Sequence, residues 1–223
     1  MSSSGRHERK HDNNDDNDND NDNDDDNDRA LYISRLRELE EACKVHFEDI
    51  GCHGWEHVAR VRSLSRTIGE KEGADLAVLD VAALFHDTMH SSEDHSARSA
   101  EYAEQTLAAM GFSNDFRAAV YSAISAHSFS AGRAAETLEA KVLSDADRLD
   151  AMGAIGIYRT AQYNLEHGYR AERVGEHIRE KLNKLQELLH TRTARAMGLR
   201  RQSILGLYLR ALEEELADSS SSK

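Results

Sequence analysis

Not one of the 223 residues of this chain is a proline, where average usage of about 5% predicts around ten. Proline ends or kinks a helix, because it lacks the N–H and its ring clashes with the preceding turn. A chain without it favours long uninterrupted helices. The apolar pattern agrees with that. Leu31, Leu36, Leu39 and Val45 begin an amphipathic stretch, and Val58, Val61, Leu64 and Ile68 recur at spacings of three and four. Leu76–Phe85 is apolar almost throughout and predicts a buried helix. Gly73 and Gly111 punctuate the pattern, and Ser113 or Asn114 and Thr137 are suited to cap the helices that follow them. Ile178, Leu182, Leu185 and Leu189 repeat at 4, 3 and 4, as do Leu205, Leu209, Leu212 and Leu216. There is no long alternating β pattern and no internal repeat. The expected fold is all-α, a single bundle of about eight or nine helices, with Gly153–Gly156 and Glu166–Gly175 as irregular segments.

The N-terminus is a different material. Residues 12–28 are ten Asp and seven Asn and nothing else. Such a run has no apolar surface to bury and repels itself, so residues 1–28 are expected to be a disordered tail. The folded domain is then expected over 29–217, with 218–223 a disordered, Ser-rich end. The formal charge of −13 divides accordingly. The run contributes −10 and residues 1–10 contribute +2, which leaves −5 for residues 29–223. A mildly acidic domain has no basic field for duplex nucleic acid. The longest apolar run, Val81–Phe85, is far short of the roughly 20 residues of a membrane span, and no secretory h-region opens the chain. Two cysteines, Cys43 and Cys52, suit a reducing compartment. The protein is therefore expected to be cytoplasmic, without a membrane or duplex nucleic-acid partner, as a monomer or homodimer.

Twelve histidines is a high count, and several stand among apolar residues. His57 shares a helical face with Val61, Leu64 and Ile68. His86-Asp87 ends the apolar Val81–Phe85 run. Asp147 lies four residues after Leu143 and four before Ala151, on an inward face. A buried ionised carboxylate is costly unless it is paired or binds metal. Two imidazoles and two carboxylates from three helices would form an N₂O₂ site suited to Mn²⁺, Fe²⁺, Co²⁺, Ni²⁺ or Mg²⁺. Each residue alone also has a plain structural use. A buried His can be satisfied in the core, and Asp147 can pair with Arg148.

Taken jointly, the pattern of a His, then His-Asp, then a later Asp resembles the HD-domain metal-dependent phosphohydrolases. The stretches His53–Val61, Ala82–Asp87, Ala126–Ser130, Thr137–Lys141 and Asp145–Ile157 are similar to the small stand-alone predicted hydrolases of that family, over about residues 50–210. The resemblance implies metal ligation by His57, His86, Asp87 and Asp147. It implies hydrolysis of a small phosphorylated compound, foremost a nucleotide, by phosphatase or pyrophosphohydrolase chemistry. Asp87 or Asp147 would orient the attacking water and accept its proton. His95 and His127 are placed like the third and fourth histidines of two-metal relatives. One divalent ion is the favoured expectation, with His95 and His127 acting on the substrate, because Thr88–Asp94 looks too short to return His95 to the ion. Two ions remain the alternative. Arg60, Lys141 and Arg148 are the candidate phosphate-binding cations. Some dinuclear-iron members oxidise C–H bonds, so an oxygenase is a second reading, and a non-catalytic nucleotide or metal sensor a third. The glycine-tyrosine-proline motif of the cyclic-di-GMP phosphodiesterase branch is excluded in a proline-free chain.

Overall fold

In the computed structural model, residues 19–48, 52–128 and 134–220 are described. Among them are nine α-helices, one 3₁₀ helix and no strand. The helices are α1 (Asn19–Lys44), α2 (Trp55–Glu72), α3 (Leu76–Phe85), α4 (His95–Ala109), α5 (Asn114–Ser125), α6 (Leu138–Asp150), α7 (Gly153–Glu166), α8 (Ala171–Glu180) and α9 (Arg192–Ser220), with the 3₁₀ helix at Leu182–Leu188 before α9.

The centre is α3. Every residue from Ala77 to Phe85 is buried, because α1, α2, α4, α5 and α6 all pack around it. Its start is fixed by Asp75, whose carboxylate accepts from the Ala77 and Val78 amides at 2.8 and 3.1 Å. The polar exception inside it is Asp80. Arg62 reaches Asp80 with Nε and a terminal nitrogen at 2.5 and 2.6 Å, and the Tyr32 hydroxyl donates to it at 2.7 Å. Glu40 takes the remaining Arg62 nitrogen at 2.5 Å. Burial, reinforced by the Asp80 carboxylate, pushes the Tyr32 phenol up to about 12. Ser113 and Thr137 cap α5 and α6 by accepting from Phe116 N and Ala140 N, as their positions predict. Gly73 ends α2 in the left-handed region, at φ 80°.

Three features depart from the sequence reading. First, helix α1 begins at Asn19, inside the Asp/Asn run, and its continuation carries Asp28 against α5. Asp28 is buried and accepts from Ser113 N at 3.0 Å and Ser113 Oγ at 2.5 Å. The last residue of the run is thus a structural acceptor, and the domain starts before residue 29. Residues 1–18 lie outside the described residues. At the other end α9 runs to Ser220, and 221–223 lie outside as well. Second, the 4-3-4 repeat from Ile178 to Leu189 is not one helix. The backbone breaks at Lys181 (φ −123°, ψ −61°), continues as 3₁₀, and is extended at Leu189. The buried Asp145 fixes the chain just after Leu189, where its carboxylate accepts from His190 N, Thr191 N and Thr191 Oγ1 at 2.7–2.8 Å. Third, Gly153–Gly156 is the first turn of α7, and Glu166–Gly175 is irregular only at 167–170. Gly156 lies against the α6 end so closely that a Cβ would come within 2.1 Å of the Ala151 carbonyl oxygen.

Candidate metal centre and cavity

Three buried histidines converge, and each has one nitrogen already committed. His57, on α2, donates Nδ1–H to Asp150 Oδ2 at 2.8 Å. His86, just past α3, donates Nδ1–H to the Ala83 carbonyl at 2.8 Å. His127, just past α5, donates Nδ1–H to the Ile124 carbonyl at 2.6 Å. These bonds fix the tautomer, so each Nε2 lone pair faces the shared space. The His57 and His86 Nε2 atoms lie 3.2 Å apart. Two lone pairs so close repel unless a proton or a cation lies between them. Nitrogens about 2.1 Å from a common ion, and about 100° apart, are separated by about 3.2 Å. Asp87 Oδ2 and Asp147 Oδ1 each lie 3.5 Å from His57 Nε2. Asp87 Oδ1 is 3.8 Å from His127 Nε2. The nitrogen and oxygen donors thus fit a divalent cation in geometry, charge and chemistry.

The electrostatics agree. Burial lowers the His86 imidazole to about 4, which keeps its lone pair free. Burial also works against the charged forms of His57 and His127, but the carboxylates of Asp150 and Asp87 raise the first, and those of Asp87 and Asp147 raise the second. There a proton competes with a cation for Nε2. Burial works against ionisation of Asp87 and Asp147, but His86 and His127 around the first, and His57 and His86 around the second, hold both carboxyls below the usual range. Both are therefore carboxylates at neutral pH.

The four residues expected to be ligands are brought together: His57, His86 and Asp147 form one group, and Asp87 stands beside it. His95 needs a correction. Asp87, His95 and His127 form a second group whose ligand atoms all lie within 4.8 Å of one another. The Thr88–Asp94 connection is short, but it returns through successive tight turns, with bonds from His90 N to Asp87 O, Ser92 N to Met89 O and His95 N to Ser92 O. A short link that coils needs little reach, so the distance argument against His95 fails. His53, half exposed, adds a bond from Nδ1 to Asp87 Oδ2 at 2.9 Å.

The expected phosphate cations separate. Arg148 lines the cavity beside Asp147, with one terminal nitrogen on the Leu188 carbonyl at 2.9 Å. Lys141, half-buried on α6, is not among the lining residues. Arg60 faces elsewhere. Its Nε and a terminal nitrogen hold Asp150 at 2.7 and 3.1 Å. Arg159 adds a third guanidinium bond to Asp150 at 2.9 Å. Although burial opposes ionisation of Asp150, the bonds from His57 and Arg60 hold its carboxyl far below the usual range. The chain Arg60/Arg159–Asp150–His57 was missed in the sequence. The signal that could have found it is the three-residue spacing from Asp147, which places Asp150 on the same side of α6.

The centre opens into a cavity of about 940 Å³. His53, His127, Asp147 and Arg148 line its inner part, and α7, α8 and the 3₁₀ helix supply the rest. Among the described residues, no helix is long and apolar enough to cross a membrane. Residues 129–133, within the Ala126–Ser130 stretch and beyond, lie outside the described residues.

An all-α bundle with a His, His-Asp, Asp cluster defines the HD class, and the HD domain family model matches residues 54–152. This chain belongs to the HD-domain family. It is 34% identical over 175 residues to the uncharacterized protein YpgQ of Bacillus subtilis (strain 168), covering 74% of this chain and 84% of that one. The crystal structure of B. subtilis YpgQ in complex with ADP superposes with a TM-score of 0.66 at 30% identity, over 80% of this chain and 96% of that one. A predicted HD superfamily hydrolase from an uncultured Thermotogales bacterium gives 0.63 at 32% identity, over 82% and 93%.

Proposed function

We propose that the protein is a divalent-metal-dependent phosphohydrolase acting on a small phosphorylated compound, foremost a nucleotide. One observation carries this reading: three imidazoles with locked tautomers and two ionised carboxylates meet at the inner end of a cation-lined cavity. His57, His86, Asp87 and Asp147 would hold the ion. A divalent ion there supplies Lewis-acid polarisation of a phosphoryl oxygen and acidifies water. The carboxylates of Asp87 and Asp147 are ionised and can accept the proton of an attacking water. Asp150 holds His57 in position, with Arg60 and Arg159 holding Asp150 in turn. His127 and His95 flank Asp87 on the opposite side and can contact the phosphoryl group or its leaving oxygen. Arg148, Lys181 and Lys184 line the same cavity and suit the phosphate charge. The ADP held by YpgQ supports a nucleotide as the ligand class.

The test is a screen of purified protein with Mn²⁺, Mg²⁺, Co²⁺ and Fe²⁺ against nucleotides, with products identified by mass. Release of phosphate or pyrophosphate that depends on added metal is the expected result. Absence of any metal-dependent product across the panel overturns the reading. A second reading, a dinuclear-iron oxygenase, is favoured by the additional Asp87, His95 and His127 group. Oxygen consumption by the iron-loaded protein, without phosphate release, would establish it instead.

A further inference from the structure

Helix α7 presents Gly156, Arg159, Thr160, Tyr163 and Asn164 to the cavity, one continuous face at helical spacing. Arg159 reaches the metal centre through Asp150 and His57. Tyr163 and Asn164 lie one turn, about 6 Å, further along the helix. There the lining changes character. The Tyr163 ring stacks on His167 at 3.9 Å and 23°, and His167 lies near-parallel to Tyr169, at 6.0 Å and 16°. Tyr163 and Tyr169 both line the cavity, yet they are 46% and 50% exposed. Their rings are thus held in orientation while much of their surface remains uncovered. Asn164 is the opposite case. It is only 5% exposed, and its Nδ2 is enclosed with no hydrogen-bond partner. A buried amide donor left unpaired is costly unless a ligand supplies an acceptor.

We propose that Tyr163, Asn164 and Tyr169 form a subsite for the planar base of a nucleotide, with the tyrosine rings as stacking surface and Asn164 Nδ2 as donor to a ring nitrogen or carbonyl. This rests on the phosphohydrolase reading for the place of the phosphates, toward Arg148, Lys181 and Lys184. Aromatic faces attract any base, and a single amide donor then favours bases with an acceptor on the matching edge.

The experiment compares wild type with Tyr163→Ala, Tyr169→Ala, Asn164→Ala and Tyr163→Phe. KM and kcat are measured for ATP and for inorganic tripolyphosphate, which has no base. Calorimetric titration with ADP measures binding without turnover. The alanine variants should weaken ADP binding and raise KM for ATP by about 5- to 100-fold, the range of a lost base–aromatic stack. Tripolyphosphate hydrolysis should stay within twofold, and Tyr163→Phe should match wild type. Since Tyr163 and Tyr169 are exposed, their variants keep the test open even if Asn164→Ala misfolds. Equal losses on ATP and tripolyphosphate would overturn the subsite, as would unchanged ADP binding in the tyrosine variants or none in wild type. If wild type binds ADP through these residues but hydrolyses neither compound, the phosphohydrolase reading falls and the subsite stands.

Discussion

Asp150→Asn is a near-isosteric change at the centre of the support for His57. Asp150 is 1% exposed and accepts from His57, from two nitrogens of Arg60 and from Arg159. The amide keeps the shape, removes the charge, and turns one acceptor into a donor aimed at donors. Removing one partner of a buried ion pair costs about 3–5 kcal/mol. The Arg60 and Arg159 side chains are 29% and 12% exposed and can turn partly to water, which argues for the lower end, about 3 kcal/mol. At about 2–4 °C per kcal/mol for a domain of this size, the melting temperature should fall by about 6–12 °C. Loss of the carboxylate behind a metal-binding imidazole should also weaken metal binding by about 10- to 100-fold. Thermal melts followed by circular dichroism, and Mn²⁺ titration at a temperature where the variant is folded, measure the two effects separately. A variant that melts within 2 °C of wild type and binds Mn²⁺ equally would refute the reasoning.

Asp28→Ala should destabilise by about 2 kcal/mol, the worth of a charge-assisted acceptor at the start of α5, while deletion of residues 1–18 should leave the melting temperature within 2 °C; paired melts check both. Asp87→Ala and Asp147→Ala should each abolish stoichiometric divalent-metal binding, read by metal analysis after desalting, with the helical spectrum retained. His95→Ala and His127→Ala should leave one bound ion and slow turnover by about 10²–10⁴-fold. Two ions in wild type and one in each of these variants would assign the second group to a second metal.

Much of the bundle is written in local chemistry. Ser113, Thr137 and Gly73 act where their own side chains, or the lack of one, dictate. The buried character of Leu76–Phe85 follows from its composition alone. His57, His86, Asp87 and Asp147 were legible because polar residues at apolar positions require an explanation. What stayed hidden was long-range. Asp28 is one aspartate among ten in its run, and only the position of Ser113, 85 residues away, gives it a partner. The Ile178–Leu189 repeat reads as one helix, yet its backbone breaks at Lys181, and the end of the segment is set by Asp145 on another element, which holds the amides of His190 and Thr191. Asp150 and Asn164 sit on regular helices beside residues of similar type. Their roles come from what faces them across the bundle. The place of His95 is hidden for another reason: chain length bounds the reach of a link only from above, and tight turns can make a short link sufficient.

His86-Asp87, at the end of α3, rests on a firmer part of the molecule than the outer lining of the cavity does. The amides of α3 are enclosed by five other helices, so their hydrogen exchange should require opening close to global unfolding. The outer lining includes Tyr169 of the 167–170 turn and Arg173 near the exposed start of α8, where little apolar surface is buried. Opening there costs far less. Two of the donors, His86 and Asp87, are therefore anchored directly behind the helix expected to exchange slowest, while part of the cavity lining lies where exchange should be fastest. Ligand entry and release can then proceed by fluctuation of one side while the spacing of the imidazoles and carboxylates is undisturbed.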